Sequence, residues 1–268
     1  MSIEDGMKLE SDCREKANEI FDDFLKKINE NPFFSDTNHE MFRTIDSLTN
    51  NIMHCCKGQV FYRSRIWDGK SKFFEKGFSY YGSNDLGAPP NYMADEARVN
   101  FRRCPVLYVS SNPYISFIEV RPRFGDIVVV GEMVLLDEKR CVNLGCIPRI
   151  GNLSSIDSAL SELIRKTFSK PMITPESNTY FISQIISYYI KAKGFDGIVY
   201  SSSLHEDGYN IAFFDVNACT AMSSNAFDVF DIQYKGLSYF MMNNDKKNLI
   251  IQRRTDALQS FVRPITEE

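Results

Sequence analysis

The chain has 268 residues, 43% of them hydrophobic and 25% charged, enough apolar material for one large globular domain; disorder is excluded as the default. A formal net charge of -4 lacks the basic surplus of a nucleic-acid binder, so no nucleic acid is expected as a partner, although a local basic pocket remains compatible with it. The 7 cysteines are odd in number and lack paired short spacings, and the 3 histidines lie far apart, so no metal site is expected and a reducing cytoplasm fits best.

The N-terminus is acidic and amphipathic, with no basic start followed by an apolar run, and no stretch approaches a membrane span; no membrane contact is expected. From Ser11 to about Asn29 the residues Ala17, Ile20, Phe21, Phe24, Leu25 and Ile28 recur at helical spacing. A second helix is predicted over about 38–56 on Phe42, Ile45, Leu48, Ile52 and Cys55, with Gly58 as its stop. Together they read as a helical hairpin resting on the body of the protein.

From Gln59 the period falls to two. Val60 and Phe61 lead a short strand that places Arg63 and Arg65 on one face. Two arginines among apolar neighbours invite an anion; a solvated edge strand is the alternative. The irregular stretch 67–97 is rich in Gly and Pro and carries Trp67, Phe73, Phe74, Phe78, Tyr80 and Tyr81. A loop of that length reads as a cover for a planar ligand, or as a loop whose rings anchor it to the core.

The stretch VLYVSSNPYISFIEVRP, from Val106 to Pro122, organises the chain. An apolar strand over Val106 to Val109 turns at Ser111 and Asn112 and restarts as a helix with Pro113 at its first position, where Asn112 can cap and Pro forfeits no needed donor. Ile115, Phe117 and Ile118 supply apolar contacts. Glu119 follows them, either tilted to solvent beside Arg121 or set at a cleft edge. Beyond it come an apolar strand over Asp126 to Leu136, interrupted at Gly131 and Glu132, and helices from Ser154 or Ser155 and from about Asn178 to Lys193. GFDGIVYSSSLHEDGYNIAFFD then reads as turn, strand, polar loop and strand, with Ser201, Ser202, Ser203 and His205 in the loop, and a hairpin over 226–242 meets at Lys235 and Gly236. No nucleotide-binding glycine loop or nucleophile elbow is present.

Taken in order, FYRSR, ARVNFRRCPVLYVSSNPYISFIEVRP, GFDGIVYSSS and GYNIAFF resemble the RES domain, a family named for an Arg, a Glu and a Ser. The match covers about 59–215 and places Arg63, Arg98, Tyr108, Glu119, Ser202 and Asn210 at the family positions. Arg65 is the alternative to Arg63, and Ser201 or Ser203 to Ser202. The resemblance implies an α+β fold with an ADP-ribosyltransferase-like split β-sheet core and flanking helices. It divides the chain into a helical extension (1–58), a RES-like catalytic domain (59–242) and a C-terminal tail (243–268).

The same resemblance implies an NAD-degrading toxin that cleaves the nicotinamide–ribose bond, with inorganic phosphate (NAD phosphorylase) or water (NAD glycohydrolase) as acceptor; the cysteine pattern places it in the cytoplasm. Transfer of ADP-ribose to a macromolecule and a non-catalytic binding module are the alternatives. Arg63, Glu119 and Ser202 take the catalytic places, and Arg65, Arg98, Tyr108, Tyr200 and Asn210 bind NAD. NAD is the substrate, and neither a resident cofactor nor a metal is implied. A separate Xre-type antitoxin or another regulatory protein is the partner such a toxin calls for, and self-association is left open.

Overall fold

The computed structural model describes residues 3–31, 38–68, 83–145, 155–169, 180–205 and 208–231, with three two-residue strands beyond them. The fold is mixed α/β, in the α+β arrangement that the switch of period from helical to alternating predicts. Helix α1 (Ile3–Glu30) is followed by α2 (Glu40–Leu48), whose first turn is capped by His39 Nδ1 accepting from Met41 N at 3.1 Å.

Helix α2 stops short of the predicted length, and Ile52–Cys55 is strand β1. Ile52 and Cys55 fit the helical stripe, but Thr49, Asn50 and Asn51 are weak helix formers. Asn51 is tied to Asn143: its Nδ2 donates to Asn143 O at 2.9 Å, and Asn143 N donates to Asn51 O at 2.8 Å. Gly58, at φ 83°, belongs to the turn from β1 into β2 (Val60–Ile66) and ends no helix.

The remaining strands of the main sheet are β3 (Leu107–Ser110), β4 (Ile127–Leu135), β5 (Lys139–Asn143), β6 (Gly197–Ser201), β7 (Tyr209–Phe213) and β8 (Cys219–Asp228). Two short pieces, β9 (Gly236–Leu237) and β10 (Thr255–Asp256), pair with each other, and β11 (Arg263–Pro264) pairs with β8. Sheet order is β1-β5-β6-β7-β3-β2-β4-β8-β11, with β5 and β6 the one parallel pair. Sequence pattern missed β5 and the first half of β8, because KRCVN and TAMSSN hold too few apolar residues to show a period. The interruption expected near Gly131 and Glu132 is a register shift between Glu132 and Met133 inside a continuous β4.

The middle of the sheet is nearly divided. Strands β2 and β3 share the single pair Tyr62↔Ser110. By contrast, β2 pairs with β4 from Val60↔Val134 to Ile66↔Val128, and β3 pairs with β7 from Leu107↔Phe213 to Ser110↔Asn210. Two well-laddered limbs therefore diverge from one contact point, which leaves a concave seam between them.

The helices fix the limbs. On one face, α1, α2, α5 (Ile156–Ser169) and α6 (Phe181–Ala192) bring Phe24, Ile45, Leu160, Ile164 and Ile190 against Val142, Ile198 and Ala212. The other face packs Phe61, Leu107, Val199, Ile211 and Phe213, with Leu86 of the one-turn α3 (Ser83–Leu86). Strand alternation sorts neighbours between the two: Ile198 and Tyr200 face the helices, Val199 the opposite side. Each such side chain contributes about 1.5–3 kcal/mol when fully buried. The N-terminal helices share this core with the sheet. Phe73, Phe74, Phe78, Tyr80 and Tyr81, most of the expected 226–242 hairpin and nearly all of the tail lie outside the described residues. Among the described residues no helix is long and apolar enough to cross a membrane.

Gly197 sits where β6 runs tightest: a Cβ there would meet Ala212 O at 2.6 Å and Cys141 Sγ at 3.1 Å. Gly197→Ala is therefore expected to destabilise the fold by about 1–3 kcal/mol, measured as a lower urea midpoint.

Candidate active site

The site grows from helix α4 (Pro113–Glu119). Asn112 Oδ1 accepts from Ile115 N at 2.8 Å, and Pro113 fills the first position, as the sequence predicts. Glu119 stands four residues after Ile115 and three after Ser116, so it continues their inward face. Ile115 and Ser116 are both buried, and the Ser116 and Ser64 hydroxyls meet at 2.7 Å. Of the two placements open to Glu119, the cleft edge is the one adopted. No ion pair joins it to Arg121.

One carboxylate oxygen is committed. Glu119 Oε1 accepts from Ser202 Oγ at 2.8 Å and from Asn210 Nδ2 at 2.7 Å. The other oxygen, Oε2, has no hydrogen bond to a described residue, and Glu119 lines the cleft. A carboxylate only accepts, so Asn210 must present its amide nitrogen; its Oδ1 then accepts from Ser110 Oγ at 2.6 Å. Ser202 Oγ in turn accepts from Leu204 N at 3.2 Å while donating to Glu119. Every proton in this chain runs toward Glu119. Ser202 holds Glu119 and is not itself among the cleft-lining residues; Ser203 lines the cleft.

The arginines divide into three roles. Arg63 lines the cleft, and its Nη1 donates to Tyr108 O at 2.5 Å across the seam between β2 and β3. Its Nε is buried without a hydrogen-bond partner, and no carboxylate among the described residues pairs with it. Burial, with Arg65 as a lesser contributor, brings its pKa down to about 10, so it remains a cation at neutral pH. Arg65 instead donates to Gly87 O at 2.7 Å and is not among the cleft-lining residues. Arg98 lines the cleft, donates to Phe168 O at the end of α5, and lies 5.6 Å and 5.8 Å from the ring centroids of Tyr200 and Tyr180.

Among the described residues four tyrosines line the cleft: Tyr62, on the strand of Arg63, and Tyr108, Tyr180 and Tyr200, which form the wall around Arg98. Burial pushes the Tyr108 and Tyr200 hydroxyls well above their ordinary range, so both stay neutral. Tyr108 OH donates to Asn100 Oδ1 at 2.9 Å and accepts from Val99 N at 3.0 Å, which fastens the loop carrying Arg98. Helix α6 fastens it again: Ser183 Oγ donates to Arg98 O at 2.7 Å, and Gln184 Nε2 to Ala97 O and Asn100 O at 2.9 and 3.0 Å. Sequence reading missed Ser110, Tyr180, Ser183 and Gln184. The last two were legible only as polar residues on an apolar helix face.

The cleft has a volume of about 520 Å³, within the range of small-molecule sites. Among the described residues no cluster of His, Cys, Asp or Glu could hold a metal ion. The arrangement defines a mixed α/β protein with a carboxylate, a buried cation and several tyrosines around one cleft. The model of the RES domain matches residues 63–233, and the chain belongs to that family. No curated protein matches the chain.

Asn210→Asp tests the direction of the network. Below about pH 4 a protonated Asp can still donate to Glu119; above about pH 5 two carboxylates would abut. The folded state then holds protons that the unfolded state releases, so stability falls as pH rises. The expected loss relative to wild type is small at pH 4 and about 2 kcal/mol or more at pH 7, measured by urea unfolding at both pH values.

Proposed function

We propose that this RES-domain protein is an enzyme that degrades NAD, breaking the bond between nicotinamide and ribose. The observation that carries the reading is the separation of charge in the cleft. Glu119 and Arg63 line the same cavity, yet they form no ion pair, and each is held by different partners. Such a pair suits a ligand with an anionic centre and a centre that becomes cationic. NAD supplies both, as its pyrophosphate and as the ribose left when nicotinamide departs.

In this reading Arg63 holds the pyrophosphate as a fixed planar cation. Tyr108, Tyr180 and Tyr200 offer ring faces to the planar groups, and Arg98 and Asn210 shape the wall. The C–N bond to nicotinamide breaks, its electron pair leaving with the nicotinamide nitrogen. Glu119 Oε2 faces the oxocarbenium-like ribose and lowers its energy, while Ser202 and Asn210 hold Oε1 in place. An acceptor oxygen then bonds the same carbon and releases its proton to solvent. Phosphate gives a phosphorylase, water a glycohydrolase. Transfer to a macromolecule is less favoured, because Glu119 is the one carboxylate among the described cleft-lining residues. An enzyme that consumes NAD calls for restraint, and we propose a toxin held by a separate antitoxin of the Xre type or by another regulatory protein.

Purified protein mixed with NAD, with and without phosphate, is followed by nicotinamide release and phosphorus NMR. Wild type is expected to release nicotinamide, with a new phosphomonoester signal if phosphate is the acceptor; no release under either condition would overturn the reading. Glu119→Gln is expected to cut turnover by about 100-fold or more while the KM for NAD changes little. Arg63→Met is expected to weaken NAD binding by about 2 kcal/mol with little change in melting temperature, because loss of the hydrogen bond to Tyr108 O is offset by removal of a buried cation that no described carboxylate pairs.

A further inference from the structure

Arg121 stands two residues beyond Glu119, and three observations set it apart. It lines the cleft and is exposed. Its side chain makes no hydrogen bond or ion pair with a described residue. Its backbone takes φ 50°, in the left-handed region, just after the α4 cap Val120 and just before Pro122. Glycine is favoured at this place after a helix, and an L side chain there is strained. The strain falls at the rim of the site, where such outliers report a use for the side chain.

Among the described residues the cleft is lined by three cations and one carboxylate. Arg98 is occupied by Phe168 O and the two tyrosine rings, and Arg63 lies deep, with its Nε buried. Arg121 is the cation at the mouth, on the same end of α4 as Glu119. An anionic acceptor approaching the ribose must come close to the Glu119 carboxylate, which repels it. A water acceptor meets no such barrier.

We infer that Arg121 forms an entry subsite for inorganic phosphate, distinct from the place of the NAD pyrophosphate at Arg63; this rests on the NAD-degrading reading. With NAD seated, phosphate held by Arg121 supplies the oxygen lone pair that bonds the ribose carbon as nicotinamide leaves with the C–N electron pair. No electrons are gained or lost overall. The product is a sugar 1-phosphate, and any proton on the attacking oxygen passes to solvent.

Arg121→Gly removes the cation and relieves the backbone, so it tests the subsite without endangering the fold. Phosphate is titrated without NAD at ionic strength fixed with chloride, and the melting temperature is followed. The variant is expected to melt at or above the wild-type temperature in phosphate-free buffer and to need about tenfold more phosphate for half its shift. With NAD present, the KM for phosphate is expected to rise by a similar factor, Arg121→Lys to recover part of it, and the KM for NAD to stay within about twofold. A phosphate midpoint within twofold of wild type, no wild-type response to phosphate, or a rise confined to the KM for NAD would each overturn the subsite. A wild type that binds phosphate through Arg121 but releases no nicotinamide would support the subsite and overturn the NAD reading.

Discussion

Everything in the site depends on one doubly held oxygen. Glu119 Oε1 receives hydrogen bonds from Ser202 Oγ and Asn210 Nδ2, which belong to the loop after β6 and to β7. Hydrogen bonds to a charged group contribute about 1.5–3 kcal/mol each, and two on one atom leave little freedom in the carboxylate's position. A short helix is thereby tied to the far limb of the sheet, and the second oxygen keeps no hydrogen bond to a described residue while Glu119 lines the cleft. Ser110 and Leu204 N extend the same polarity outward, so that no donor in the network faces another donor.

The second constraint is the seam. Strands β2 and β3 meet at Tyr62↔Ser110 and then part, and a parting sheet exposes backbone groups that a ladder would satisfy. Arg63 answers one of them by donating to Tyr108 O. The same guanidinium has no carboxylate partner among the described residues, which is unfavourable for stability and favourable for binding an anion. Cleft and unpaired cation thus have a common origin in the divergence of the two limbs.

The wall opposite α4 depends on the helices. Ser183 and Gln184 of α6 hold the turn around Arg98, and Phe168 O at the end of α5 receives its guanidinium. Those helices are in turn backed by α1 and α2, through a core that includes Phe24, Phe42, Leu160 and Tyr200. The N-terminal segment therefore supports the aromatic wall from behind. Its helices reach the cleft through packing, without contributing a lining residue of their own.

Local signals were legible in the sequence wherever neighbours in the chain decide the outcome. Asn112 and Pro113 fix where α4 begins, the run from Val106 to Val109 marks a strand, observed as Leu107–Ser110, and ordered motifs single out Arg63, Arg98, Tyr108, Glu119, Ser202 and Asn210. Alternation also put Arg63 and Arg65 on one strand face, but it could not separate the residue that lines the cleft from the one bound to Gly87 O. Strand β1 was mistaken for helix because Ile52 and Cys55 satisfy a helical spacing, and only pairing with β5 overrules it. The partners of Glu119 lie 83 and 91 residues away, and no period in a linear chain records which side chains the sheet register will bring together. The sequence by itself determined the elements and the chemical types at the site; the tertiary structure decided which oxygen, which cation and which face meet, because those depend on strand pairing across the seam.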